Sequence, residues 1–175
     1  MSIDAINDYL NIQNSIADSD KYINFLNDKK DIIVAESSFR SYDNVIDIGC
    51  GDGYITKKIK GNHVLGIDIS EVAIRKSKEN CIKNVYFNNN SLFDLIYEKN
   101  SKYDLVVLSE VLYAPYIGDS YSLIYSIIDN ILNENGVVIT CHVDDYYRMR
   151  FPYLLKNQLY FEKENYNYKL EVYIK

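Results

Sequence analysis

No segment of this sequence has the basic start and uninterrupted apolar core of a secretory leader. No apolar run approaches the length that crosses a bilayer, so a cytoplasmic protein with no membrane partner is expected. Cysteine is scarce. Cys50, Cys81 and Cys141 form no C-x-x-C pair and have no histidines at zinc spacing, which argues against both a disulfide framework and a structural metal. Positive charge is in short supply too. A net charge of −6 with a pI near 4.9 argues against a nucleic-acid partner, because tracking a phosphate backbone takes a basic face. Lys57, Lys58 and Lys60 read as the wet face of a helix rather than as a binding stripe. At 175 residues the chain suits one compact domain over 1–175, with no appended domain expected. The abundance of Asn, Lys, Ile and Tyr reads as genome composition bias, and nothing in the pattern sets an oligomeric state.

What the chain does have is concentrated in Val45-Ile46-Asp47-Ile48-Gly49-Cys50-Gly51-Asp52-Gly53. The apolar residues Val45, Ile46 and Ile48 mark a covered parallel strand, and the three glycines strip β-carbons from the turn that follows it. The spacing is G-x-G-x-G rather than the G-x-G-x-x-G that seats a pyrophosphate on a helix N-terminus. Carboxylates at Asp47 and Asp52 would repel a pyrophosphate; they suit a ligand that carries an ammonium and a sulfonium. Val64-Leu65-Gly66-Ile67-Asp68 reads as a second strand ending, fifteen residues after Gly53, in the acid that a doubly wound sheet offers to ribose hydroxyls. A dinucleotide site and a purely structural turn stay open as alternatives, and Asp68 could instead be a helix N-terminal charge ahead of Ser70.

With Tyr103-Asp104-Leu105-Val106-Val107-Leu108 and Gly136-Val137-Val138-Ile139 added, the ordered motifs over roughly 40–143 resemble the class I S-adenosylmethionine-dependent methyltransferases. The resemblance implies an α/β fold: a three-layer, doubly wound, seven-stranded and mostly parallel sheet with a C-terminal antiparallel hairpin. Residues 1–40 would be an N-terminal helical cap and 41–175 the Rossmann-like core. It also implies the cofactor, S-adenosylmethionine, and the residues that hold it. Asp47 and Gly49 would face its amino acid part, and Gly51 and Gly53 would allow close approach. Asp68 would take the ribose hydroxyls, and Ile69 would pack on the adenine. The family's usual acid after the third strand is missing, so Asn90 or Ser91 would accept the adenine amino proton. Ser109, after the fourth strand's apolar run, would contact the cofactor at the mouth of the reaction chamber.

The segment Tyr103 through Tyr113, with its Glu-Val-Leu-Tyr run, is similar to small nodulation-type N-methyltransferases that methylate the amine of a sugar. That similarity points to a small-molecule acceptor, methylated on oxygen or nitrogen and sugar-linked or phosphorylated. A protein acceptor and a non-catalytic, cofactor-binding subunit are the alternatives. His142, at the end of the fifth strand, is the first choice of general base, followed by Glu110 and Tyr113. Tyr116, Tyr146 and Tyr147 join Tyr113 as candidate walls of an acceptor pocket, and Arg148 and Arg150 could pair an anionic acceptor. His142 could also do no more than cap a strand end.

The alternation of elements is legible throughout. Helices are expected at 3–16, 19 to about 38, from Ser70 to about Asn80, and from Tyr121 to Leu132. The third strand is expected at Val85–Phe87 and the fifth at 137–142, after an Asn133–Gly136 turn. A short helix is expected over 146–157, broken near Pro152. A hairpin pairing Leu159–Glu164 with Lys169–Ile174 around Asn165-Tyr166-Asn167 would close the sheet, ending almost at the last residue with no lid domain after it.

Overall fold

The computed structural model describes residues 29–80, 82–98, 102–163 and 165–175. The helices expected at 3–16 and over 19–28, and Cys81, lie outside the described residues. In chain order the elements are α1 (Lys29–Ser37), β1 (Tyr42–Ile48), β2 (Gly61–Asp68), α2 (Glu71–Ser77), β3 (Val85–Asn89), β4 (Tyr103–Ser109), α3 (Ala114–Ile117), α4 (Tyr121–Ile131), β5 (Leu132–Val143), β6 (Leu154–Lys163) and β7 (Tyr166–Ile174). Two 3₁₀ turns, Leu92–Tyr97 and Asp144–Tyr146, follow β3 and β5. They form one seven-stranded sheet in the order β3-β2-β1-β4-β5-β7-β6, parallel except for β7, which is antiparallel to both of its neighbours. The strand order reverses between β1 and β4, so the carboxyl ends of these two strands flank the crevice where such sheets bind ligands.

Strand periodicity divides the interior in two. On one face Ile46, Ile48, Val106, Leu108 and Val138 pack under Ile124, Ile127, Ile128 and Ile131 of α4. On the other, Val45, Val64, Leu105, Val107 and Ile139 pack under Ile32 and Ile33 of α1 and Ile55 and Ile59 of the turn after Gly53. Alternate side chains of one strand point to opposite faces, so the near-continuous apolar runs of β1 and β4 serve both layers.

Four expectations need correcting. The segment 51–59 is a chain of turns and not a helix, although Lys57 N–H still reaches the Gly53 carbonyl and Ile59 N–H the Ile55 carbonyl. β2 starts beside Tyr42, so this connection must return the whole length of β1, roughly 20 Å at strand rise. The residues between Gly53 and Gly61 wound as a tight α-helix would cover only about 12 Å, so the chain winds more loosely.

The helix expected over 146–157 is absent. Phe151 is buried, stacked on Tyr153 and edge-on to Tyr173, and β6 begins at Leu154. Pairing with β7 overrides local preference there, and the hairpin is longer than expected: Lys163 pairs with Tyr166, so the turn falls earlier, with Asn165 at φ 66°. The Asn133–Gly136 turn appears as an irregularity inside β5. Leu132 pairs with Tyr103 and Val137 with Leu105, and the residues between them loop out with Asn135 at φ 61°. Elsewhere Ser70 caps α2 as its sequence suggests, its side chain accepting the Ala73 N–H.

Candidate functional site at the carboxyl edge

The glycine turn is pinned to β2 at several points. Gly49 N–H and Cys50 N–H both donate to the Ile67 carbonyl, at 2.8 and 2.9 Å. Gly51 N–H donates to Asp68 Oδ2 at 2.9 Å, and Ser70 N–H donates to Asp68 Oδ1 at 2.8 Å. One carboxylate therefore fixes both the turn after β1 and the start of α2. It fills the N-terminal position foreseen as the plain alternative while still standing at the ligand edge. Asn89 Nδ2 adds a bond to the Asp68 carbonyl at 2.9 Å. Ile69, beside it, is 74 % exposed, which leaves an apolar face open next to the turn.

The glycines differ in what excludes a side chain. Gly49 has φ 74°, and a β-carbon there would run into Val111 of the loop after β4. Gly51 has φ 55° with nothing within 4 Å of where its β-carbon would lie, so its backbone borders open space. At Gly53 a β-carbon would come within 2.7 Å of Phe87. Close packing thus accounts for the outer two, and clear space adjoins the middle one.

Asp47, expected to face the amino acid part of the cofactor, is 1 % exposed beneath the turn and accepts the Thr56 hydroxyl at 2.6 Å. Burial raises its pKa from 3.8 to about 6, against the Thr56 hydrogen bond and with help from the negative charge of Asp68. A carboxyl whose folded pKa is raised contributes stability in full below the unfolded value and loses it as pH climbs through the folded one. The window is therefore pH 3.8 to about 6, and the loss is on the order of 3 kcal/mol. Replacing Asp47 by Asn keeps an acceptor for Thr56 and removes the titration. Urea unfolding at pH 4 and pH 7.5 is expected to show the variant gaining on the native protein across that window. A gap that stays constant with pH would show that Asp47 does not carry the effect.

His142, the first choice of general base, is given structural work. It is fully buried, and its Nε2 accepts the Leu112 N–H at 3.1 Å. Its ring stacks on Tyr147 at 4.4 Å, and burial lowers its pKa to about 3. The ring nitrogen that could take a proton is occupied by the backbone, so the neutral imidazole holds the loop after β4 in place.

Tyr113 is placed to brace as well: its hydroxyl accepts the Val143 N–H at 2.8 Å, and burial raises its pKa. Burial thus disfavours loss of its proton, and the hydroxyl oxygen is engaged by the backbone. Glu110 sits at φ 57° with its side chain one-third exposed, ion-paired to Lys29 and accepting from the Tyr168 hydroxyl at 3.2 Å. Of the three catalytic candidates it alone keeps a carboxylate at the open edge.

Ser109 ends β4 at the same edge, half-buried beside the glycine turn. Ser91 is committed to a capping box, its hydroxyl accepting the Asp94 N–H and its own N–H donating to Asp94 Oδ2 at 2.7 Å. Asn90 is left as the polar side chain at that corner. The acid missing at 90 and 91 is present at Asp94 but turned to the backbone; the Ser-x-x-Asp spacing was the readable signal. Thr56, Val111 and Lys29 carried no signal in the sequence.

Arg150 is engaged, its Nε 3.5 Å from Glu171 and its guanidinium over Tyr147, whereas Arg148 is exposed. Tyr147 is buried and is no pocket wall. A cavity of about 400 Å³ opens at the opposite, amino edge of the sheet, between Tyr42, Lys57, Lys60 and Lys83, away from the glycine turn. Among the described residues no cluster of His, Cys, Asp and Glu could hold a metal.

A family model described as a methyltransferase domain matches residues 39–172, spanning the glycine turn, Asp68 and most of the closing hairpin. The chain belongs to this methyltransferase family. Ribosomal protein L11 methyltransferase from Lactobacillus johnsonii is 33 % identical over 105 residues, 58 % of this chain and 31 % of that protein. Release factor glutamine methyltransferase from Fusobacterium nucleatum is 36 % identical over 103 residues, 54 % of this chain and 28 % of that protein. The chain therefore spans about a third of the length of these relatives. The N-methyltransferase NodS from Bradyrhizobium japonicum, solved with S-adenosylhomocysteine, superposes with TM-score 0.65 at 15 % identity, covering 93 % of this chain and 95 % of NodS. That likeness is one of fold.

Proposed function

We propose that this methyltransferase moves the S-methyl group of S-adenosylmethionine to an oxygen or nitrogen of a small polar acceptor. The observation that carries the reading is the open backbone at Gly51, fixed by the Asp68 carboxylate at the carboxyl edge of the sheet. The residues present fit the cofactor. Asp68 can accept ribose hydroxyls, Ile69 offers an apolar face to adenine, and the negative charges of Asp68 and the buried Asp47 favour a cationic ligand over a pyrophosphate.

When bound, the cofactor supplies a methyl group on an excellent leaving group. The task left to the chain is alignment and exclusion of water. Gly49 and Ser109 set the floor, and the loop held by His142 sets one wall. Where the acceptor must lose a proton, Glu110 is the group to take it, at the oxygen shared with Lys29 or at the one shared with Tyr168. A protein acceptor is the second reading, favoured by the names of the two sequence relatives. A cytoplasmic setting is supported by the free thiols of Cys50 and Cys141. No described helix is long and apolar enough to cross a membrane.

Calorimetric titration with S-adenosylhomocysteine tests the cofactor assignment. Saturable one-site binding is expected, and a folded protein that gives no heat would overturn it. Transfer of labelled methyl to fractionated small metabolites, against transfer to intact ribosomes, then separates the two acceptor readings.

A further inference from the structure

Four tyrosines from three stretches of the chain meet at the carboxyl edge. Tyr113 follows β4, Tyr116 lies in α3, Tyr146 closes the 3₁₀ turn after β5, and Tyr166 opens β7. Their rings run in a line: Tyr116 to Tyr113 at 6.2 Å, Tyr113 to Tyr146 at 6.4 Å, Tyr146 to Tyr166 at 6.3 Å. The interplanar angles are 45°, 84° and 57°, so none of these pairs is a face-to-face stack. Tyr116, Tyr146 and Tyr166 are 66 %, 59 % and 47 % exposed. A single exposed tyrosine means little, but a contiguous row at a ligand edge is a different observation.

Tyr113 anchors the row. Its hydroxyl is held by the Val143 N–H, and the buried His142 ring stands edge-on behind it at 5.3 Å. The charged groups alongside give little net selection. Glu110 is paired with Lys29 and Asp144 with Lys169 at 2.8 Å, and exposed Asp145 and Arg148 oppose each other in sign.

We propose that Tyr113, Tyr116, Tyr146 and Tyr166 form the acceptor seat, and that it selects an acceptor with a ring face, sugar or aromatic, by stacking rather than by charge. This rests on the methyl-transfer reading for its role in the reaction, though the seat itself can be tested without turnover. Tyrosine presents a rigid amphipathic surface suited to the C–H face of a sugar or to another aromatic ring. The hydroxyls at its rim then meet the polar groups of either.

Tyramine and methyl glucosaminide serve as the two ring probes, and ethanolamine as the acyclic amine of matched charge. Each is titrated by ligand-observed NMR into native protein, with and without saturating S-adenosylhomocysteine. At least one ring probe is expected to bind and ethanolamine not to; which ring binds separates the aromatic from the sugar source. Tyr146→Ala is expected to weaken the ring probe roughly tenfold, and Tyr146→Phe to retain it, with S-adenosylhomocysteine affinity unchanged in both. Tyr146 is largely exposed, so the variant should fold, and Tyr116→Ala gives an independent second reading of the row. Equal binding of ethanolamine, binding of neither ring probe, or ring binding untouched by both alanine variants overturns the seat. Failure of S-adenosylhomocysteine to bind brings down the methyl-transfer reading instead, and leaves the probe titrations without it to judge the seat.

Discussion

Asp68→Ala is expected to weaken S-adenosylhomocysteine binding about 100-fold while leaving a folded protein. The carboxylate accepts two backbone N–H groups, from Gly51 and Ser70, and each bond to a charged acceptor is worth roughly 1.5–3 kcal/mol. Part of that loss falls on folding. The rest falls on the ligand, which loses its ribose partner together with the fixed path of the turn; about 3 kcal/mol corresponds to two decades in affinity. Asp68→Asn keeps one acceptor oxygen and should lie between the two. Calorimetry measures the affinity and urea unfolding the stability. If the alanine variant binds within a few-fold of the native protein, Asp68 is only a helix N-terminal charge, and the ribose assignment goes with it.

The second large effect separates two glycines a residue apart. Gly49→Ala is expected to cost stability, and Gly51→Ala to cost binding. At Gly49 the new methyl collides with Val111 on a backbone at φ 74°. Left-handed strain of about 1–2 kcal/mol and overpacking of about 1–3 kcal/mol add up to a large share of the stability of an ordinary domain. A fall in melting temperature of roughly 10 °C follows for a chain of this size. Adding Val111→Ala should recover the steric part and leave the strain.

At Gly51 the backbone is also left-handed, at φ 55°, but the methyl meets no protein atom within 4 Å. The fold should survive with a loss of about 1 kcal/mol, while S-adenosylhomocysteine affinity drops at least roughly tenfold because the methyl stands where the ligand approaches. Normal affinity in folded Gly51→Ala would mean that the open space belongs to solvent.

These glycines also show how far the chain could be read in advance. The turn, the acid ending β2 and the order of the strands were legible because each rests on local pattern: a short apolar run, a glycine cluster, a change of period. Equivalent local evidence misled over 146–157, where a helix was expected and Phe151 is instead drawn into the core beside Tyr173, feeding β6 into its pairing with β7. It also misled at 51–59, where too few residues were available to return along β1 as a regular helix.

Two of the three catalytic candidates, His142 and Tyr113, are given bracing contacts for a further reason. Sequence placed His142, Tyr113 and Glu110 correctly at strand ends, but it could not say which of their polar atoms the backbone would claim. Leu112 and Val143, each some 30 residues away in the chain, supply the N–H groups that occupy His142 Nε2 and the Tyr113 hydroxyl.

By itself, then, the sequence determined that this is a doubly wound sheet with a glycine turn after its first strand and a carboxylate ending its second. Period, glycine and charge act over a few residues and need no distant partner. Only the tertiary structure decided that Asp47 lies under the turn, that His142 braces a loop, and that Tyr113, Tyr116, Tyr146 and Tyr166 stand in one row. Burial and hydrogen-bond partners arise from which strands lie side by side, and that is fixed by packing across the whole sheet rather than by neighbours along the chain.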